Sequence, residues 1–316
     1  MKSDKSDSLK GALYGAAIGD ALGAPFEFDT PVPPEPFSYV KGHAFYKEDL
    51  SGEWTDDTAQ LLCLIRARAA VKSLEEFPKA FAKELVYWFQ TDGRGCGLLT
   101  NRVLSDVAFP HFPLEVAHDA WVESGRNSAP NGAVMRTAGA ILAHGAVLEK
   151  RWETLKLTEL ACQVTHADPR CLVSCKAVNI ALSYVINFGQ DGFSPLKGAL
   201  EHGVDVVPQP DKHWFEALTL LELQLPTQAG FTYKCAGAGF WALRQLDNRG
   251  ISGGNFRQIL KELILAGGDT DTNAAVAGAL LGGALGFKNL PKDLIRGLKR
   301  KEELEEGLAL CYKEVV

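Results

Sequence analysis

Glycine recurs at every fourth position near the start of this chain, at Gly11, Gly15 and Gly19 inside a run from Ser8 to Leu22 that otherwise reads as a helix, and at Gly23 just after it. A four-residue spacing places all of them on one helix face. Glycine inside a helix costs about 1 kcal/mol relative to alanine, so close packing or a nearby ligand must compensate. The smooth face they leave lets another helix approach closely. At the other end of the sequence, Asn273 to Gly286 is a helix-like run with small residues on every side. Almost no stretch alternates with the period of two expected of strands. Helical patterns instead cover 58–72, 75–91, 100–107, 114–124, 134–145, 158–165, 170–187, 195–203, 212–223, 236–247, 255–265 and 291–312. The expectation is an all-α fold of about a dozen helices, packed as one domain over 1–316, with 1–8 flexible.

Two acidic clusters stand at opposite ends of this pattern. The first to draw attention is Gly267-Gly268-Asp269-Thr270-Asp271-Thr272. Residues two apart on a helix point about 200° away from one another. Asp269 and Asp271 therefore converge only in a turn or at a helix start, and the two glycines permit that turn. Carboxylates held together repel unless a proton or cation lies between them, and a hard ion such as Mg²⁺ suits oxygen ligands. The second cluster is Thr55-Asp56-Asp57-Thr58, also at the head of a helical run. Each alone reads as an ordinary capped helix start. Together they supply enough oxygen ligands for a binuclear site.

Other positions carry weaker signals. Asp20 lies in an apolar helix and reads as a buried carboxylate bonded to neighbouring backbone or to a supporting side chain. Glu27 opens a proline-rich loop, 30–52, that ends at the acidic cluster and has the length to form a flap. The glycine-rich stretch 93–97 is not followed by Gly-Lys-Ser/Thr and so is no phosphate-binding P-loop. Asn131-Gly132 before a helix can offer free N–H groups to a phosphate or sugar hydroxyl, although on that motif alone a plain turn is the simpler reading. His166 reads as a ligand contact or as a satisfied loop histidine.

With 46% apolar residues the chain can bury a large core. A net charge of -6 and the lack of a basic patch give no indication of nucleic-acid binding. No apolar run reaches membrane-spanning length, and Met1 to Ser8 lacks the apolar core of a signal peptide. The 7 cysteines include no C-x-x-C pair. A reducing, cytoplasmic setting is expected.

In order along the chain, five blocks resemble the ADP-ribosylglycohydrolase family: GALYGAAIGDALGAPFEF (11–28), GEWTDDTAQ (52–60), PNGAVMRTAGA (130–140), THADPRCLVSCKAVNIAL (165–182) and AGGDTDTNAAVAGALLGGALG (266–286). The resemblance implies a compact, orthogonal multi-helix bundle with two Mg²⁺ ions, or Mn²⁺, in a central cleft. It implies metal ligands at Thr55, Asp56, Asp57, Asp269, Asp271 and Thr272, with Glu27 on the flap against a metal or the scissile bond. Asn131, Gly132 and Ala133 would contact the diphosphate or ribose, and His166 would lie near the substrate sugar. Pro130 stands where many members have glycine, and Asp168 fits the fourth block.

The activity implied is hydrolysis of the bond between C1″ of ADP-ribose and an acceptor, most simply an arginine or serine side chain of an ADP-ribosylated protein. Glu27 and Asp57 are the candidate proton-moving carboxylates. O-acetyl-ADP-ribose and base-linked ADP-ribose are alternative substrates, and a monomer is expected. A catalytically silent relative that binds metal or ADP-ribose is a further alternative. An Asp-x-Asp-Thr motif is also similar to that of haloacid-dehalogenase phosphatases. There it should follow a buried strand, with Thr or Val four positions on, whereas here that position is Asn273 between helical runs.

Overall fold

A computed structural model describes residues 5–29, 35–41, 49, 51–145, 151–188, 195–224 and 228–312. Its central relationship is the one the glycine stripe demands. Helix α1 (Lys5–Gly23) runs antiparallel to helix α14 (Thr270–Leu285), which is buried along its whole length. Side chains added to Gly11, Gly15 and Gly19 would run into the carbonyl oxygens of Gly282, Gly278 and Ala274 in turn. One on Gly23 would stand 2.5 Å from the α-carbon of Asp271. Backbone-to-backbone packing is thus the compensation for the helical glycines, and it brings the end of α1 to the start of α14.

The other helices wrap this pair. They are α2 (Asp56–Ala69), α3 (Phe77–Thr91), α4 (Leu98–Leu104), α5 (Pro113–Glu123), α6 (Ala138–Ala143), α7 (Arg151–Gln163), α8 (Pro169–Phe188), α9 (Pro195–Val204), α10 (Lys212–Glu216), α11 (Leu220–Gln224), α12 (Thr232–Arg249), α13 (Gly253–Leu265), α15 (Lys292–Gly297) and α16 (Lys301–Tyr312). Helices α8, α12 and α13 pack directly on α14, and α2 carries α3, α6 and α16 on its flanks. There is no strand among the described residues, only an isolated bridge between Pro130 and Phe231. The all-α, multi-helix expectation holds. No described helix is long and apolar enough to cross a membrane.

Several boundaries differ from the periodic reading. Residues 1–4 lie outside the described residues, but 5–8 form the first turn of α1 rather than a flexible lead. The expected helix 291–312 is broken at Leu298–Arg300, where Lys299 N–H donates to Gly52 O at 2.9 Å and Arg300 turns with φ 49°. That break clamps the loop entering α2. The expected helix 212–223 is likewise split, because the Thr219 N–H and hydroxyl both turn back to Glu222 Oε2, at 2.7 and 2.8 Å. Residues 131–137 are turns, so α6 starts later than its apolar pattern suggests.

Candidate active site and metal centre

The antiparallel pair sets one carboxylate, Asp20 in the last turn of α1, beside the acidic turn that begins α14. Gly267 and Gly268, both left-handed at φ 74° and 77°, swing the chain from α13 into Asp269, the residue capping α14. Two bonds hold the turn against the end of α1: Thr270 Oγ1 donates to Gly23 O at 2.8 Å, and Phe28 N–H donates to Gly268 O at 2.9 Å. The second bond fixes Glu27, one residue earlier, next to Asp269 and Asp271.

Asp20 is fully buried and positions the other cluster. Its Oδ1 accepts from the Thr55 N–H at 2.9 Å and the Thr55 hydroxyl at 3.0 Å. Its Oδ2 accepts from the Thr58 N–H at 3.0 Å and the Thr58 hydroxyl at 2.6 Å. A carboxylate has about four lone-pair sites, and donors occupy all of them. Asp20 is therefore an ionised buttress that seats the first turn of α2, as its apolar setting in the sequence suggested. Burial raises its carboxyl above the usual range, and the four donors offset only part of that rise.

Among the described residues, carboxylate oxygens then gather in two groups, the first including the already bonded Asp20. Those of Asp20, Asp57 and Asp271 lie within 4.8 Å of one another, and so do those of Glu27, Asp269 and Asp271. Asp271 is common to both. Burial, followed by the charges of Asp20 and Asp56, pushes Asp57 well above the usual carboxylate range. Burial with Glu27 and Asp269 does the same to Asp271, and burial with Asp20 and Glu27 to Asp56. Asp57 Oδ1 and Asp269 Oδ1 are buried without a hydrogen-bond partner among the described residues. Crowded, desolvated, partnerless carboxylate oxygens are what a cation would satisfy. The donor set is all oxygen, which suits Mg²⁺ or Mn²⁺ rather than zinc. Thr55 sits beside Asp57 but gives its hydroxyl proton to Asp20, which leaves its lone pairs free.

Above these groups opens a cleft of about 460 Å³, lined by Glu27, Asp56, Asp269, Asp271 and Thr272 on its acidic floor. Gly95, Gly97 to Thr100, Asn131, Gly132 and His166 form its walls, and Phe28, 53% exposed, stands at the mouth. The glycine-rich segment around 93–97, which is no P-loop, thus borders the cleft. Most of the expected flap falls at 30–34, 42–48 and 50, outside the described residues. Gly132 presents bare backbone, since a side chain there would come 3.0 Å from His166 Cε1. Asn131 does something the motif did not suggest: its Nδ2 donates to Asp269 Oδ2 at 2.9 Å, which orients that carboxylate. Ala133 is 2% exposed and is not among the residues lining the cleft. Asp57 also lies below the cleft rather than in its lining. The sequence pattern placed Thr58 in the first acidic cluster but gave no role to Gln60 or Arg136. Arg136, a charge inside the apolar run Ala133 to Leu142, was the one visible signal among them.

Comparison with known proteins agrees with this architecture. The family model described as ADP-ribosylglycohydrolase matches residues 1–315. An ADP-ribosylarginine hydrolase, Tri1, of Serratia proteamaculans is 26% identical over 314 residues, covering 96% of this chain and 78% of that protein. The ADP-ribosylhydrolase ARH3 of Gallus gallus is 26% identical over 333 residues, covering 90% of this chain and 86% of its own. The ADP-ribosyl-[dinitrogen reductase] glycohydrolase of Rhodospirillum rubrum is 25% identical, with 95% and 92% covered. A solved ADP-ribosylglycohydrolase-related protein complex has a chain that superposes with a TM-score of 0.71 at 24% identity, over 99% of both chains, so the fold is shared. From its buried helix pair to the ordered motifs along nearly its whole length, this chain belongs to the ADP-ribosylglycohydrolase family, a family of glycohydrolase enzymes.

Proposed function

We propose that the protein hydrolyses the glycosidic bond between ADP-ribose and a protein side chain, using two Mg²⁺ ions. The observation that carries this reading is the pair of carboxylate groups sharing Asp271 on the floor of a cleft walled by bare backbone at Gly132. Asp57, Asp269 and Asp271 would hold the ions, with Glu27 beside one of them and free to leave it, and with Asp56, Thr55 and Thr272 at their edges. Bound there, the ions supply positive charge that orients the ribose hydroxyls and Lewis acidity that activates water. The protein's own residues do the rest. Gly132 and the N–H groups around it accept the diphosphate and ribose at close range. Asp20 and Asn131 keep the carboxylates from rearranging when charge enters or leaves.

Proton movement falls to Glu27. It lines the cleft, is only partly buried, and belongs to the group farther from the core. It can protonate the leaving atom or take a proton from the attacking water. Asp57 is buried beneath the cleft floor and is better suited to holding an ion than to exchanging protons with substrate.

The acceptor is an arginine or serine side chain, and the arginine reading draws on the printed activity of the Serratia proteamaculans relative. A linkage panel tests it: the protein with Mg²⁺ is offered arginine-, serine- and base-linked ADP-ribose and O-acetyl-ADP-ribose, and released ADP-ribose is measured. Release from arginine- or serine-linked substrate supports the reading. Release from none of the four overturns it.

A further inference from the structure

Behind the cleft wall lies a charged side chain with no part in the chemistry above. Arg136 is wholly buried, its guanidinium centred 5.0 Å from the Phe81 ring. It pairs with no carboxylate among the described residues. Its hydrogen bonds go instead to neutral groups. Nη1 donates to Gln60 Oε1, while Nη2 donates to Thr165 Oγ1 at 2.5 Å and to Ala161 O at 3.2 Å. Taking a guanidinium out of water costs several kcal/mol, and packing alone would be served as well by an apolar residue.

A guanidinium has donors only, and that asymmetry orders both neighbours. Gln60 must turn its oxygen toward Arg136, which leaves its Nε2 facing Asp56 Oδ2 at 3.4 Å. Thr165 Oγ1 must accept from Arg136, and it also lies 2.7 Å from His166 Nδ1. Thr165 is fully buried and its hydroxyl has no other partner among the described residues. Were His166 to carry a proton on Nδ1, two donors would crowd one oxygen, and the hydroxyl proton would have no acceptor. The bond therefore runs from Thr165 O–H to Nδ1, and the imidazole proton resides on Nε2. A side chain at Gly132 would lie 3.1 Å from that nitrogen, on the cleft side of the ring.

We propose that Arg136 is a positioning residue which, through Thr165, locks His166 as the Nε2–H tautomer and so gives the cleft a permanent hydrogen-bond donor for a phosphate or hydroxyl oxygen of its ligand. Only the identity of that ligand, ADP-ribose, rests on the proposed function. Burial and the Arg136 charge hold the His166 ring neutral, so it presents one donor and exchanges no proton in the reaction.

Long-range ¹H–¹⁵N correlation spectra of ¹⁵N-histidine-labelled full-length protein at pH 7 read the tautomer directly. Arg136→Lys is the obvious variant but is at risk of misfolding, so Thr165→Val and Thr165→Ser carry the test. Wild type and Thr165→Ser should show His166 protonated at Nε2, and Thr165→Val should show a mixture or the Nδ1–H form. Calorimetry with ADP-ribose should show Thr165→Val binding about tenfold more weakly and Thr165→Ser binding close to wild type. An Nδ1–H tautomer in wild type, or an Nε2–H tautomer unchanged in Thr165→Val, overturns the proposal. If the tautomers behave as described but no variant binds ADP-ribose, the lock stands and the proposed substrate falls.

Discussion

Gly15 and Gly278 meet backbone to backbone, each occupying the space that the other's side chain would need. The same approach at the end of the helix pair sets Gly23 against Asp271, so the acidic site is built on a backbone-to-backbone helix contact. Geometry there leaves no slack, because backbone cannot move aside as a side chain can.

Gly15→Ala and Gly278→Ala should each destabilise the protein by about 3 kcal/mol or more, at the upper end of overpacking effects. Gly254→Ala, at a helical position where the added carbon would meet only Ser252 Oγ at 3.9 Å, should be neutral or stabilising by about 0.5 kcal/mol. Urea denaturation midpoints of the three variants check the contrast.

Asp20→Asn distinguishes a buttress from a ligand. Asparagine would turn an N–H₂ group toward one pair of threonine donors, at a cost of about 2–3 kcal/mol for the buried groups left unpaired. That loss should appear in protein stripped of metal with EDTA. A residue serving only as a ligand would show the opposite sign there, since its removal relieves repulsion among neighbouring carboxylates. Thermal unfolding with EDTA and with Mg²⁺ separates the two.

His166 gives a pH signature. Its folded-state value lies well below the ordinary 6.5, held down by burial and then by Arg136. Between those two values the unfolded chain binds a proton that the folded chain does not. Its contribution is thus fully favourable above about pH 6.5 and is lost as pH falls below it, at up to about 1.4 kcal/mol per unit. Replacing it by glutamine should flatten the stability curve between pH 6.5 and the folded value, relative to wild type. Parallel curves for the two proteins would count against a buried neutral ring.

Glu27→Gln should lower turnover by at least about 100-fold, the range of a lost general acid or base. Its unfolding midpoint should stay within a few degrees of wild type, because the backbone bonds from Glu27 N–H to Ala24 O and from Phe28 N–H to Gly268 O survive the substitution. Single-turnover release of ADP-ribose, beside a thermal melt, is the check.

Much of this was legible in the sequence. The glycine period announced a close helix contact, and the two Thr/Asp/Asp turns announced a gathering of carboxylates that could hold a metal ion. What stayed hidden was pairing across the chain. No local pattern says that the Gly11–Gly23 stripe faces Gly278 and Gly282, or that Asp20 reaches across to Thr55 and Thr58. Asn131 read as a turn residue because its partner, Asp269, is remote in sequence. The breaks at 298–300 and 217–219 escaped notice because apolar periodicity persists across them, while tertiary bonds to Gly52 and a local cap at Glu222 turn the backbone. Gln60, Arg136 and Thr165 form a chain of contacts that only the folded packing assembles.

In the proposed enzyme, acidic turns from both ends of the chain cage divalent cations around Asp271. Equilibrium dialysis against Mn²⁺ followed by elemental analysis measures this directly. Wild type should bind two ions per chain, and Asp271→Asn, which removes the carboxylate common to both groups, should bind one or none at the same concentration. Wild-type protein that emerges without bound metal, or an Asp271→Asn variant that retains two ions, would contradict it.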